Sequence, residues 1–218
     1  MRKAVLFLFL FALAGCAGMS KKECLTADWR AIGYEDGAAG APVSAITPRR
    51  QACAEKIGAA PDMDAYLTGR NEGLADYCRP ANGFAVGARG AAYQGVCKDE
   101  IAEPFLAAYR RGSELYARES EAIRAGEAVA GAQDELWNIR ARIAELEAAL
   151  VSPETPNADR VQHLVEMKNL FKDRRRVEAD IAALLREEER AEAALFDYRR
   201  NLAEETQDGV LRPARASY

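Results

Sequence analysis

The sequence predicts a mainly α-helical protein: a small, disulfide-stapled, Cys- and Gly-rich helical domain, followed by a long antiparallel coiled-coil hairpin. Three observations lead there. Four of the five cysteines crowd between positions 24 and 97, and the same stretch holds glycines four apart beside aromatic residues. Beyond Pro104, apolar residues step by three and four through an Ala-, Glu-, Arg- and Leu-rich segment. The 218 residues then divide into a leader (1–15), a tether (16–23), the Cys-rich domain (24–103), the hairpin (104–207, turning at 151–157) and a disordered tail (208–218).

The leader begins with Arg2 and Lys3, and Ala4 to Ala14 form an apolar run of about 11 residues. Spanning a bilayer takes roughly 20 apolar residues, so the run is too short for a stable membrane helix. Its layout of basic start, apolar middle and small-residue end is that of a secretory signal peptide. Leu13-Ala14-Gly15-Cys16 resembles a bacterial lipobox, which implies thioether attachment of diacylglycerol at Cys16 and removal of everything before it. Several acyl chains anchor where one is marginal, since each buried CH₂ contributes about 0.8 kcal/mol. Ala17 rather than Asp follows the cysteine, which points to an outer membrane and a protein facing the periplasm. Loss of Arg2 and Lys3 moves the formal charge from −4 to about −6. An acidic chain without a concentrated basic patch is a poor binder of nucleic acid.

With Cys16 lipidated, Cys24, Cys53, Cys78 and Cys97 remain. An even number in an oxidising compartment reads as two disulfides, with three connectivities open. A zinc site needs close cysteine pairs such as C-x2-C, and none occurs. The single histidine, His163, lies far off in the helical region, so neither a metal centre nor a thiol nucleophile is expected. No cofactor is implied.

Inside the stapled domain, "DWRAIGYEDGAAG" (Asp28 to Gly40) and "DAYLTGRNEGLADYC" (Asp64 to Cys78) share G-x2-[DE]-G: Gly33, Asp36 and Gly37 match Gly69, Glu72 and Gly73. "FAVGARGAAYQGVC" reads as a shortened third version with Phe84, Gly87, Gly90, Tyr93 and Gly95. Glycines four apart share one helix face. Each costs about 1 kcal/mol of helix propensity, so a compensating close approach is expected. The two glycine faces are therefore expected to meet, with Trp29, Tyr66 and Tyr77 at their rim. The competing reading makes these glycines turn residues. A phosphate loop is excluded, because no β-branched strand precedes them and no Lys-Ser/Thr follows.

The ordered series Cys24, Trp29, Gly33, Gly37, Gly40, Arg50, Cys53, Asp64, Tyr66, Gly69, Gly73, Leu74, Tyr77, Cys78, Gly87, Gly90, Tyr93, Gly95 and Cys97 resembles a bacterial lipoprotein family described as domain of unknown function 2799. The likeness covers roughly residues 24–112. It implies an envelope lipoprotein with a small Cys-rich domain, and it carries no reaction, ligand or catalytic residue.

Pro104 suits the first turn of a helix. Gly112, Gly126 and Gly131 weaken its early part, whereas Val129, Ala132, Leu136, Ile139, Ile143, Leu146 and Leu150 form a heptad seam. "VSPETPN" then breaks the helix. A second helix is expected from Pro156, capped by Thr155, with a seam of Met167, Leu170, Arg174, Val177, Ile181, Leu184, Glu188, Ala191, Leu195, Tyr198 and Leu202. A short loop makes the two antiparallel, with Ile143 near Lys168 and Glu135 near Arg174. Arg174 and Glu188 interrupt the seam; they set register or serve as docking points.

A lipid anchor, a stapled domain and a helical hairpin predict a non-enzymatic envelope lipoprotein. Its structural or docking role is exercised by the hairpin on another periplasmic protein, and a homo-oligomer is possible. The alternative is cell-wall or glycan binding by the Cys-rich domain, with Trp29, Asp36, Tyr66 and Glu72, together with Asn71, Asn82 and Arg89, as contacts. Paired carboxylates at Asp36 and Glu72 would be the nearest thing to a hydrolase site, and helix-face roles account for both.

Overall fold

The computed structural model describes residues 19–207. The expectations for the leader, for lipidation at Cys16 and for the tail at 208–218 lie outside the described residues. Within them the chain is helical and contains no strand. Seven α-helices follow in order: α1 (Lys21–Thr26), α2 (Trp29–Ala38), α3 (Thr47–Ile57), α4 (Met63–Tyr77), α5 (Pro80–Ala88), α6 (Ala102–Val151) and α7 (Asn157–Gln207), with 3₁₀ turns at Val43–Ile46 and Asp99–Ile101. One compact unit holds the chain up to Arg79 together with Tyr93–Phe105; the other holds Pro80–Ala92 and the chain from Leu106.

Helix starts in the first unit follow from local chemistry. Ser20 and Glu23 form a reciprocal capping box at α1. Asp28 accepts the Ala31 N–H at 3.0 Å to open α2, and Asp62 accepts the Ala65 N–H at 2.9 Å to open α4. Two disulfides staple the result. Cys24–Cys53 ties α1 to α3, and Cys78–Cys97 joins the end of α4 to the segment before α6. Of the three connectivities open to the sequence, this one bridges consecutive cysteines.

Helices α2 and α4 lie parallel, glycine face to glycine face. A Cβ added at Gly33 would collide with the Tyr66 carbonyl, at Gly37 with that of Arg70, at Gly69 with that of Arg30, and at Gly73 with that of Tyr34. Backbones at this separation leave no room for a methyl group, so the helix-propensity cost of the glycines is offset by close backbone contact. Aromatic placement differs from the rim expected from sequence. Tyr66 is fully buried and Tyr77 nearly so, while Trp29 is half-buried. Tyr66 is held inside by its hydroxyl, which donates to the Asp36 carboxylate at 3.0 Å.

The first part of the third glycine segment is also helical, in α5, and it has a packing partner of its own. In the second unit α5 pairs in parallel with the start of α6. A Cβ at Gly87 would strike the Tyr109 carbonyl, and one at Gly112 would strike that of Phe84. Gly112, expected only to weaken the hairpin, is therefore a packing glycine. Tyr93 and Gly95 belong to a loop, where the Tyr93 hydroxyl accepts the Cys97 N–H at 2.7 Å and Gly95 turns at φ +68°.

The two helix pairs repeat one another in detail. Gly40 at φ +69° and Gly90 at φ +70° end α2 and α5, beneath the rings of Tyr77 and Tyr116 respectively. Ala41 N–H donates to the Asp36 carbonyl and Ala91 N–H to the Val86 carbonyl. Arg70 donates to the Ala41 carbonyl at 2.7 Å, and the Tyr109 hydroxyl donates to that of Ala91 at 3.1 Å. A duplicated unit is the plain reading.

From Leu106 onward, α6 and α7 form the antiparallel hairpin. Ile139, Ile143 and Val177 make a buried cluster, closed by Leu136, Leu170, Phe171 and Ile181. Glu135 faces Arg176 at 3.9 Å rather than Arg174. Arg140 pairs with Glu178, and Arg199 with Glu119. The turn is held by a residue the sequence did not single out. Arg160 donates to the carbonyls of Leu150, Ser152 and Thr155, satisfying one acceptor that α6 leaves open at its C-terminus and two in the turn. Thr155 donates its hydroxyl back to the Ala149 carbonyl at 2.6 Å instead of capping α7.

Two substitutions separate packing glycines from idle ones. Gly73→Ala forces a methyl into backbone and is expected to lower stability by about 1–3 kcal/mol. Gly131→Ala meets nothing within 4 Å and should raise it by up to about 1 kcal/mol. Urea unfolding followed by far-ultraviolet circular dichroism measures both; equal effects would contradict the close-approach account.

Candidate functional site

The most concentrated polar chemistry lies on one side of the α2–α4 pair. One carboxylate oxygen of Asp36, on α2, accepts from the Tyr66 hydroxyl of α4 at 3.0 Å and from the Arg49 guanidinium of α3 at 2.8 Å. Asp36 and Arg70 are buried. Three helices thus meet at a single oxygen, and Arg70 closes the group by reaching the Ala41 carbonyl. Burial first, and then the hydrogen bond to Asp36, push the Tyr66 hydroxyl up to about 12. It stays a neutral donor at any physiological pH.

The matching carboxylate behaves differently. Glu72 occupies in α4 the place that Asp36 occupies in α2, and its partner, Arg30, holds the place of Tyr66. Both contacts are the same crossing seen from the two sides of a helix pair. On the far side it is solvent-exposed, and there the Tyr34 hydroxyl also donates to Asp76 at 2.9 Å. Asp36 and Glu72 are therefore committed to separate partners. Trp29 opens α2 and is half-buried. Asn71 and Arg89 are exposed, and Asn82 is half-buried in the other unit.

Arg49 and Arg70 escaped the sequence reading. A signal for them existed: Asp36 lies three residues from Gly33 and next to Gly37, hence near the glycine face, and a carboxylate brought there must find a cation or donors.

In the hairpin, Arg174 lies over the Phe171 ring at 5.1 Å and approaches Glu178 at 3.9 Å. Glu188 reaches toward Gly126, where an added Cβ would sit 3.2 Å from its Oε1. A groove of about 400 Å³ runs beside it, lined by Glu121, Arg124, Ala125, Ala128, Leu184 and Glu187. Arg142 forks onto Glu166 at 2.7 and 3.2 Å, and this hydrogen bonding holds the Glu166 carboxyl below the usual carboxylate range. His163 is half-buried. Among the described residues no group of three or more His, Cys, Asp or Glu is placed to hold a metal ion, and no helix is long and apolar enough to cross a membrane.

These features define the class: an all-helical domain of glycine-faced parallel pairs, stapled by disulfides and continued by a helical hairpin. Residues 28–114 match the model of a family described as Protein of unknown function (DUF2799). The match opens at the α2 cap Asp28 and closes two residues beyond Gly112, so it takes in both glycine-faced pairs. No curated protein and no solved structure matches the chain.

The Asp36–Tyr66 contact has a signed pH consequence. Tyrosine in an unfolded chain ionises near 10, whereas folded Tyr66 holds its proton to about 12. Stability is full below the lower value and falls as pH rises through the interval, because only the unfolded state releases the proton there. Tyr66→Phe should flatten that decline in urea titrations at about pH 9 to 11.5. An unchanged slope would rule out a shifted Tyr66.

Proposed function

We propose that this protein is a non-enzymatic lipoprotein of a bacterial envelope, with a structural or docking role carried out by its helical hairpin on another periplasmic protein. The observation that carries the reading is the apolar surface around the hairpin turn. Val151, Val161, Leu164 and Val165 are exposed there, while the seam of the hairpin is filled without them. Hydrophobic side chains gathered on one exposed end mark a contact site more often than an idle surface.

Anchoring at Cys16 is supported by Leu13-Ala14-Gly15-Cys16 after a basic and apolar leader. Two disulfides support folding in an oxidising compartment. The non-enzymatic reading is supported by the polar cluster itself, whose carboxylate is spent on Tyr66 and Arg49. Glycan binding has less behind it, since Tyr66, Tyr77 and Phe105 are buried.

A photoreactive residue at position 164, introduced in the full chain in living cells, is expected to give one discrete protein adduct. Val161→Asp with Val165→Asp should abolish it while the circular dichroism is retained. Cys16→Ser should move the protein from the membrane fraction to the soluble periplasm. An adduct indifferent to the Asp substitutions, or a Cys16→Ser protein still held by the membrane, contradicts the corresponding half of the proposal.

A further inference from the structure

Only Ala17 and Gly18 separate Cys16 from Met19, the first described residue. Met19 is fixed to the first unit. Its Sδ lies 3.9 Å from Cys53 Sγ, and its carbonyl accepts from Lys56 Nζ at 2.7 Å. The chain therefore enters the structure against the disulfide that ties α1 to α3. Three peptide steps reach at most about 11 Å, so whatever holds Cys16 lies within that distance of this corner. Charge at the corner runs against that of the whole. Helices α1 and α3 carry Lys21, Lys22, Arg49, Arg50 and Lys56 against Glu23 and Glu55, in a chain whose formal charge is −4. Arg49 is spent on Asp36, and Glu23 accepts the Ser20 N–H at 2.6 Å. By their spacing of three and four, Lys21, Lys22 and Leu25 share one face of α1, and all three are exposed, Leu25 by 67%. Lysines in the first turn oppose the positive end of the helix dipole, so α1 itself gains nothing from them there.

We infer that the α1 face of Lys21, Lys22 and Leu25 lies on the membrane that carries the anchor, with its lysines on anionic phospholipid headgroups and its leucine toward the acyl chains. The inference rests on lipidation at Cys16 as proposed above. The anchor would bring this face to the headgroups on the scale of a Debye length, where an anionic surface attracts basic side chains. Each lysine there strengthens binding by about fivefold. Alone, such a contact is too weak to retain the chain, and the acyl chains already do so. Its effect is orientation: the stapled unit rests against the bilayer by a defined side. An acidic protein would suit the lysines equally well. The nearness of Cys16 and the exposed leucine between the two cations favour lipid.

A photoreactive residue at position 25 tests this in the full chain, purified from the membrane fraction and placed in vesicles of phosphatidylcholine with or without about one-third phosphatidylglycerol. Position 67, an exposed leucine on α4 of the same unit, is the comparison. In the phosphatidylglycerol vesicles, lipid adducts at position 25 should exceed those at 67 by about fivefold or more, and Lys21→Glu with Lys22→Glu should cut them by about tenfold or more. Glutamates in the first turn suit the helix dipole, so circular dichroism should be unchanged. Flotation with pure phosphatidylcholine vesicles reads the anchor alone. A chain that fails to float there lacks the anchor, and both readings fall. A chain that floats but labels lipid at 25 no better than at 67, or labels equally after the charge reversal, overturns this inference and leaves the anchor standing.

Discussion

Backbone against backbone is the constraint on which the Cys-rich region depends. Six glycines in two helix pairs each face a carbonyl oxygen of the opposing helix, and a side chain at any of them would separate the pair. Most helices in water associate through interlocking side chains at 8–10 Å. Here side chains are excluded from the crossing and displaced to its margins. Parallel orientation follows, because the reciprocal contacts of Gly33 with Tyr66 and Gly69 with Arg30 run in one chain direction. Parallel neighbours cannot be joined by a tight turn. The crossover is α3 in the first pair and the Cys97-bearing segment in the second, and a disulfide reaches each of these connections.

Duplication makes the polar cluster intelligible. Where the first pair carries Asp36 and Tyr66, the corresponding places in the second hold Val86 and Phe105, and all four side chains are buried. One copy uses a carboxylate and a phenol, the other an aliphatic and an aromatic side chain of related shape. Replacing both partners of a buried polar contact together is far cheaper than removing one, since no donor or acceptor is stranded. The polar version has an added consequence that the apolar one lacks. Arg49 draws α3 into the assembly through the same oxygen, so the first pair is tied to its own crossover helix.

How much of this was legible depended on the periodicity available. The hairpin was readable because each seam residue from Met167 to Leu202 obeys one repeat, and every one of them, Arg174 and Glu188 included, is at least half-buried. The first glycine pair was readable because Gly33 and Gly37 resemble Gly69 and Gly73 within one short stretch. The second was not: of its packing glycines Gly87 and Gly112, the latter lies inside what reads as coiled coil. Arg160, Arg49 and Arg70 were illegible for another reason. Each acts across a turn or between helices distant in sequence, and arginine on a helix looks the same whether it faces water or a carbonyl. The rim placement of Tyr66 erred because α3, through Arg49, covers the side of the pair on which the Tyr66 hydroxyl meets Asp36.

Bridging of neighbours in the chain, Cys24 with Cys53 and Cys78 with Cys97, bears on how the molecule is made. A polypeptide emerging amino end first exposes its thiols one after another, and domains form in that order. Counted from Cys24, with Cys16 taken up by lipid as proposed, each newly exposed sulfur at an even place in the series finds its correct mate already waiting and the wrong ones either consumed or not yet present. Strict order of appearance then suffices to select one pattern out of three, with no later reshuffling required.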